Sequence, residues 1–184
     1  MKTCIFIIGT NCTGKSSLAK AIAEGFGGYR AISRELTVCA DQRVCLAGSY
    51  SPDKRFGGVD GLNETKGLQQ IVHTALVGHE CIVCEGIKLH NNGPNLTRAI
   101  FTADNRLVVF LYAPAATLHR RLLERNSSGK GVTEAILKDQ QACARSLERW
   151  RGMGIPVMWF DTSKTSVEVA STSLINYIKN AIRQ

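Results

Sequence analysis

The 184 residues fit one compact domain, and an apolar share of 44% is enough to bury a core. No apolar run approaches the roughly 20 residues that a membrane-spanning helix needs, so the chain does not read as a helical membrane protein. A net charge of +8 suits a polyanionic partner, but it equally suits a protein that holds a small phosphorylated ligand.

The chain opens with "MKTCIFII", one lysine followed by a short apolar run. The run is about half as long as the hydrophobic stretch of a signal peptide and leads straight into a glycine loop, so it reads as a buried strand, Cys4 to Gly9. A cytoplasmic location follows as the expectation, with the seven cysteines as free thiols. A helix is expected from about Ser16 to Phe26, stopped by Gly27–Gly28. "YRAISREL" and "RVCLAGSY" read as short strands or a strand pair. The glycine-rich stretch "YSPDKRFGGVDGL", Tyr50 to Leu62, follows. Leu68, Ile71, Val72, Ala75 and Leu76 then mark the apolar face of a helix. "CIVCEG", Cys81 to Gly86, is a fully buried strand. Its CxxC spacing places the two thiols on opposite sides of the strand, which suits buried thiols better than a redox or zinc pair. A further strand, Arg106 to Ala113, leads into a helix opened by Pro114. Ile136, Cys143, Leu147 and Trp150 mark a long helix, Ile155 to Asp161 the last strand, and Val167 to Ala181 the closing helix. No repeat, low-complexity tract or Pro/Ser linker interrupts the chain. Strands alternating with helices imply an α/β fold with a mostly parallel sheet.

"GTNCTGKS", Gly9 to Ser16, matches GxxxxGK[ST] in full, between a strand and a helix as that motif requires. Glycines let backbone N–H groups curl around phosphate oxygens, and the helix start adds positive charge. Gly9, Thr10, Asn11, Cys12, Thr13, Gly14, Lys15, Ser16 and Ser17 are therefore the candidate nucleotide-binding residues. Lys15 is placed to reach the β- and γ-phosphates and the Ser16 hydroxyl to ligate Mg²⁺. Glu85, at the end of an apolar strand, is a candidate for the metal's water shell or for a general base. Lys88 follows closely and could meet an acceptor or a phosphate. Arg34, in "SRE", could hold an acceptor or be a surface arginine.

On the helix after "FLYAP", Arg121 and Arg125 share a face, with Arg120 beside them. "NSSGKG" makes a joint behind them. A strand, an arginine helix and a joint suggest a lid over about residues 114–133, with Arg121 and Arg125 as candidate catalytic residues that close over a triphosphate. In the Tyr50–Leu62 stretch, Asp60 is the candidate base for an acceptor hydroxyl, or else the N-cap of the next helix. Gly57 and Gly58 would give room to an acceptor or adopt positive φ. Tyr50 could stack on a base. Lys54 and Arg55 could take DNA phosphates.

These motifs resemble, over essentially the whole chain, the small P-loop kinases of the nucleotide-, shikimate- and polynucleotide-kinase-like group. The resemblance implies a P-loop NTPase-type three-layer sandwich with helices on both faces, a small arginine-bearing lid, one domain over residues 1–184, and ATP with Mg²⁺. It also implies that an adenine would rest near "DTSK" from Asp161. A narrower resemblance rests on Gly48, Tyr50, Gly57, Gly58, Asp60 and Leu62, in "GSY" and "GGVDGL". Those residues are similar to the phage 5-hydroxymethyluracil DNA kinases, which phosphorylate the hydroxymethyl group of that base during thymidine hypermodification. That resemblance implies a DNA partner whose modified base is single-stranded or flipped out. The alternatives are a small-molecule kinase acting on a nucleoside, nucleotide or sugar, and a non-catalytic nucleotide switch. Neither oligomeric state nor DNA sequence context is legible.

Overall fold

The computed structural model describes residues 1–51, 57–62, 67–91, 93–125 and 133–183. Lys54, Arg55 and part of the expected lid lie outside the described residues. Seven strands form one sheet: β1 (Thr3–Ile8), β2 (Tyr29–Ala31), β3 (Leu36–Cys39), β4 (Val44–Ala47), β5 (Cys81–Glu85), β6 (Asn105–Tyr112) and β7 (Val157–Asp161). Their spatial order is β2-β3-β4-β5-β1-β6-β7. Strands β4, β5, β1, β6 and β7 run parallel, and β2 and β3 extend the β4 edge antiparallel. The region expected to hold short strands or a strand pair therefore holds three short strands. Local pattern could not show this, because strands of three or four residues carry too few alternations to count.

Among the described residues, six α-helices cover the sheet: α1 (Lys15–Glu24), α2 (Leu68–Gly78), α3 (Pro94–Phe101), α4 (Ala115–Arg125), α5 (Glu134–Gly152) and α6 (Val167–Ala181). Alternation along the buried strands divides the core. Ile5 and Ile7 of β1 face Leu18 and Ile22 of α1 and Leu174 and Ile178 of α6. Cys4, Phe6 and Ile8 face α2, α3 and α5, where Trp150 meets the Phe6 ring edge-on at 6.1 Å. The fold is thus the expected α/β sandwich. Cys81 and Cys84 fall into opposite layers, as their spacing requires.

Helix α3 was not anticipated. Its signal is present in the sequence: Pro94 at the first turn, then Leu96, Ala99 and Ile100 at helical spacing, all buried. A third, small apolar cluster of Ala113, Leu118, Leu122 and Ile136, with Cys12 against it, seats α4 over the loop that follows β1. Among the described residues, no helix is long and apolar enough to cross a membrane.

Candidate active site

The loop from Gly9 to Ser16 leaves the central strand β1 and enters α1. Gly9 is required by close approach, since a Cβ there would lie 2.7 Å from both the Leu111 carbonyl oxygen and Thr13 Oγ1. Gly14 is required by its backbone, at φ 92°. Cys12 takes φ 60° without being glycine, a conformation that costs about 1–3 kcal/mol and persists where the surroundings enforce it. Two hydroxyls brace the loop. Thr13 Oγ1 donates to the Thr10 carbonyl (2.8 Å), and Thr10 Oγ1 donates to the Ile136 carbonyl on α5 (2.9 Å). The first turn of α1, Lys15-Ser16-Ser17, carries no acidic side chain, so its N–H groups and the positive end of the helix dipole stay available to an anion. Lys15 is buried and its ammonium donates to the Thr10 carbonyl (2.9 Å). Burial lowers its pKa, while the Glu85 and Asp60 carboxylates pull it back up.

Glu85 ends β5, beside β1, and is 3% exposed. Its Oε1 accepts from the Ser16 hydroxyl (2.8 Å), the Tyr50 hydroxyl (3.1 Å) and the Gly58 N–H (3.1 Å). A hydroxyl and a carboxylate at the foot of a phosphate loop are hard oxygen donors of the kind Mg²⁺ takes alongside phosphates and water. Among the described residues, no group of three or more His, Cys, Asp or Glu side chains could hold a metal ion. Ser16 and Glu85 are the residues that would hold Mg²⁺ together with phosphate oxygens, where the ion would neutralise charge.

The segment expected to receive an acceptor lies against Glu85. Asp60 is exposed in a one-turn 3₁₀ helix, Val59–Gly61, and borders the same cleft as Lys15, Ser16 and Glu85. The N-cap position of α2 is occupied by Gly67. The Asp60 carboxylate accepts from the N–H groups of Ile87 (2.7 Å) and Lys88 (3.2 Å), in the loop after β5.

Tyr50 departs from the expectation. It is 1% exposed and does not border the cleft, so its ring offers no face to a stacked base. Its hydroxyl goes to Glu85, and burial together with that carboxylate raises its pKa well above the ordinary tyrosine value. The glycines also differ from expectation. Gly58 has φ −65°, and Gly57 is not among the residues at positive φ. A Cβ on Gly57 would overlap the Tyr50 ring, and one on Gly58 would overlap the Glu85 carboxylate. The space they leave is filled by protein. Arg34 and Lys88 are exposed and line the cleft.

The arginines of α4 separate. Arg120 points outward to Glu124 (3.8 Å). Arg121 spans the cleft floor, donating to the Cys12 carbonyl (3.2 Å), Thr162 Oγ1 (2.9 Å) and the Thr162 carbonyl (2.5 Å). Arg125 donates to Cys12 Sγ (3.3 Å). Thr162, just past β7, falls in the "DTSK" segment and had no signal of its own. Its role appears only through Arg121. Thr165, Ser166, Val167 and Ala170 line the same end of the cleft.

The cleft measures about 1090 Å³. Among the described residues that line it, Lys15, Arg34, Lys88, Arg121 and Arg125 outnumber the carboxylates Asp60, Glu85 and Glu124. Such a site can hold a polyphosphate with a second molecule beside Asp60.

No protein-family model matches the chain, and no curated protein matches it. Solved structures do. The chain is similar to the YorR protein of Bacillus subtilis, solved with phosphorylated GDP, at TM-score 0.60 and 13% identity over 98% of each chain. It is similar to an unliganded sugar kinase from Janibacter sp. HTCC2649, at TM-score 0.59 and 14% identity over 99% of this chain and 98% of that one. It is also similar to shikimate kinase from Acinetobacter baumannii in complex with shikimate, at TM-score 0.50 and 12% identity over 98% of this chain and 94% of that one. At these identities the likeness establishes the fold alone: the chain shares the α/β fold of these proteins.

Proposed function

We propose that the chain is an ATP-dependent phosphotransferase whose acceptor hydroxyl enters beside Asp60, and that the acceptor is the hydroxymethyl group of 5-hydroxymethyluracil in DNA. One observation carries the phosphotransferase reading: Asp60 borders the same cleft as Lys15, Ser16 and Glu85. The acceptor oxygen forms a bond to the γ-phosphorus while the bond from that phosphorus to the β,γ-bridging oxygen breaks. ADP leaves, and the hydroxyl proton passes to the Asp60 carboxylate. Lys15, Arg121 and Arg125 balance the charge on the phosphates. Ser16 and Glu85 would hold Mg²⁺, which would supply further charge neutralisation. The net charge of +8, the excess of cationic side chains around the cleft, and the "GSY" and "GGVDGL" stretches support a DNA acceptor.

The burial of Tyr50 favours a second reading. Without a stacking platform, the wall at Gly57 and Gly58 suits a compact acceptor, a nucleoside, nucleotide or sugar. Two of the fold-similar structures are described as sugar kinase and shikimate kinase.

Labelled ATP, offered with hydroxymethyluracil DNA, the free nucleoside and a panel of sugars, separates the readings. Label in DNA is expected, with binding that weakens steeply as salt rises. Label in a small acceptor and none in DNA replaces the first reading by the second. Nucleotide binding with no transfer to any acceptor overturns both.

A further inference from the structure

Tyr50 is a buried side chain that the proposed reaction does not use. It touches neither cleft nor solvent. A phenylalanine would fill the same space, so the hydroxyl needs an explanation of its own. Its position is enforced from two sides. The Tyr50 N–H donates to Thr37 Oγ1 (2.9 Å), and the Thr37 hydroxyl, fully buried, donates to the Gly48 carbonyl (2.8 Å). The ring packs where Gly57 lacks a Cβ. So held, the phenol donates to Glu85 Oε1, beside the Gly58 N–H and the Ser16 hydroxyl. These three hydrogen bonds all fall on one carboxylate oxygen, Oε1.

The same segment grips the loop after β5 in the opposite sense. Gly58 donates to Glu85, while Asp60 accepts from Ile87 and Lys88. A carboxylate with one oxygen pinned by fixed donors cannot rotate freely, and groups that orient a metal's ligand set its affinity.

We infer that Tyr50 is a positioning residue, whose hydroxyl, with the Gly58 N–H, fixes the Glu85 carboxylate for the metal and ties the metal site to the segment that carries Asp60. The inference rests on the metal role of Glu85 proposed above and needs no acceptor to be identified.

The test is the Mg²⁺ dependence of ADP binding, followed by calorimetry on the full chain without turnover. Tyr50→Phe should raise the half-saturating Mg²⁺ concentration about ten- to a hundred-fold and leave Mg²⁺-free ADP binding unchanged. Thr37→Val should move it the same way by less. Glu85→Gln sets the scale. A Tyr50→Phe protein that melts lower but keeps the wild-type Mg²⁺ midpoint, while Glu85→Gln shifts it, overturns the inference. If Tyr50→Phe does not fold, an unshifted midpoint in Thr37→Val overturns it instead. An unshifted midpoint in Glu85→Gln removes the metal role and the inference together. Failure to find any acceptor would remove the kinase reading and leave this result standing.

Discussion

Asp60 gives the sharpest test at the scale of single residues. If it takes the acceptor proton, Asp60→Asn should lower kcat by about 10²- to 10⁴-fold while the ATP dissociation constant stays within a few-fold. The carboxylate also accepts two backbone N–H bonds. Asparagine keeps one accepting oxygen, so thermal unfolding should report a loss of about 1 kcal/mol as well. A fall in kcat no larger than that stability loss explains would leave Asp60 as a brace only.

Lys15 makes a pH-dependent statement. Burial lowers its pKa, so the folded protein releases this proton at a lower pH than the unfolded chain does. Between those two values the unfolded state binds more protons, and stability rises with pH. Relative to Lys15→Met, the wild type should therefore gain melting temperature as pH climbs through the alkaline range. Its ATP affinity should fall over the same range, because the ammonium charge is lost. Parallel melting curves for the two proteins across that range would contradict the assigned direction.

Secondary-structure elements decide what these residues can reach. The segment Gly57–Leu62 packs against the end of β5 so closely that Gly58 admits no side chain. Gly58→Ala should cost about 1–3 kcal/mol by overpacking, and should weaken Mg²⁺-dependent nucleotide binding because the displaced group is Glu85. Helix α4 carries Arg121 and Arg125 on a small cluster apart from the two main layers. Leu122→Ala should therefore raise the KM for ATP several-fold, with a stability loss toward the low end of the roughly 2–5 kcal/mol typical of such truncations. Equal KM in the two proteins would show that α4 holds its arginines without that contact. Elements with strong periodicity, such as α2, α5 and the buried β1 and β5, were legible in the sequence. The short β2 and β3 were not resolved as separate strands. Helix α3 was legible in principle, from Gly93-Pro94 and the spacing of Leu96, Ala99 and Ile100.

Across the whole molecule, burial sorts the seven cysteines. Six are buried, and burial pushes the thiols of Cys39 and Cys143 up to about 12. Cys12 alone is half-buried, and it lines the cleft. Native thiol titration should find one fast-reacting group and six that react only on unfolding, with ATP slowing the fast one. Two fast thiols, or no protection by ATP, would contradict this placement.

The sequence by itself determined the α/β alternation, the GxxxxGK[ST] loop that carries Lys15 and Ser16, and the strand-end position of Glu85. Each is written in neighbouring residues: a hydrophobic period, a motif of fixed spacing, a carboxylate ending an apolar run. It also placed Arg121 and Arg125 on one helix face. Tertiary structure decided that this face meets Cys12 and Thr162 while Arg120 turns away, because the seating of Leu118 and Leu122 sets the helix's rotation. It also decided that Tyr50 is a buried partner of Glu85, and that Asp60 braces the loop after β5. These contacts join residues 27 to 35 apart in the chain. No local pattern encodes a hydrogen bond across such a separation; it exists only once β4 and β5 lie side by side in the sheet.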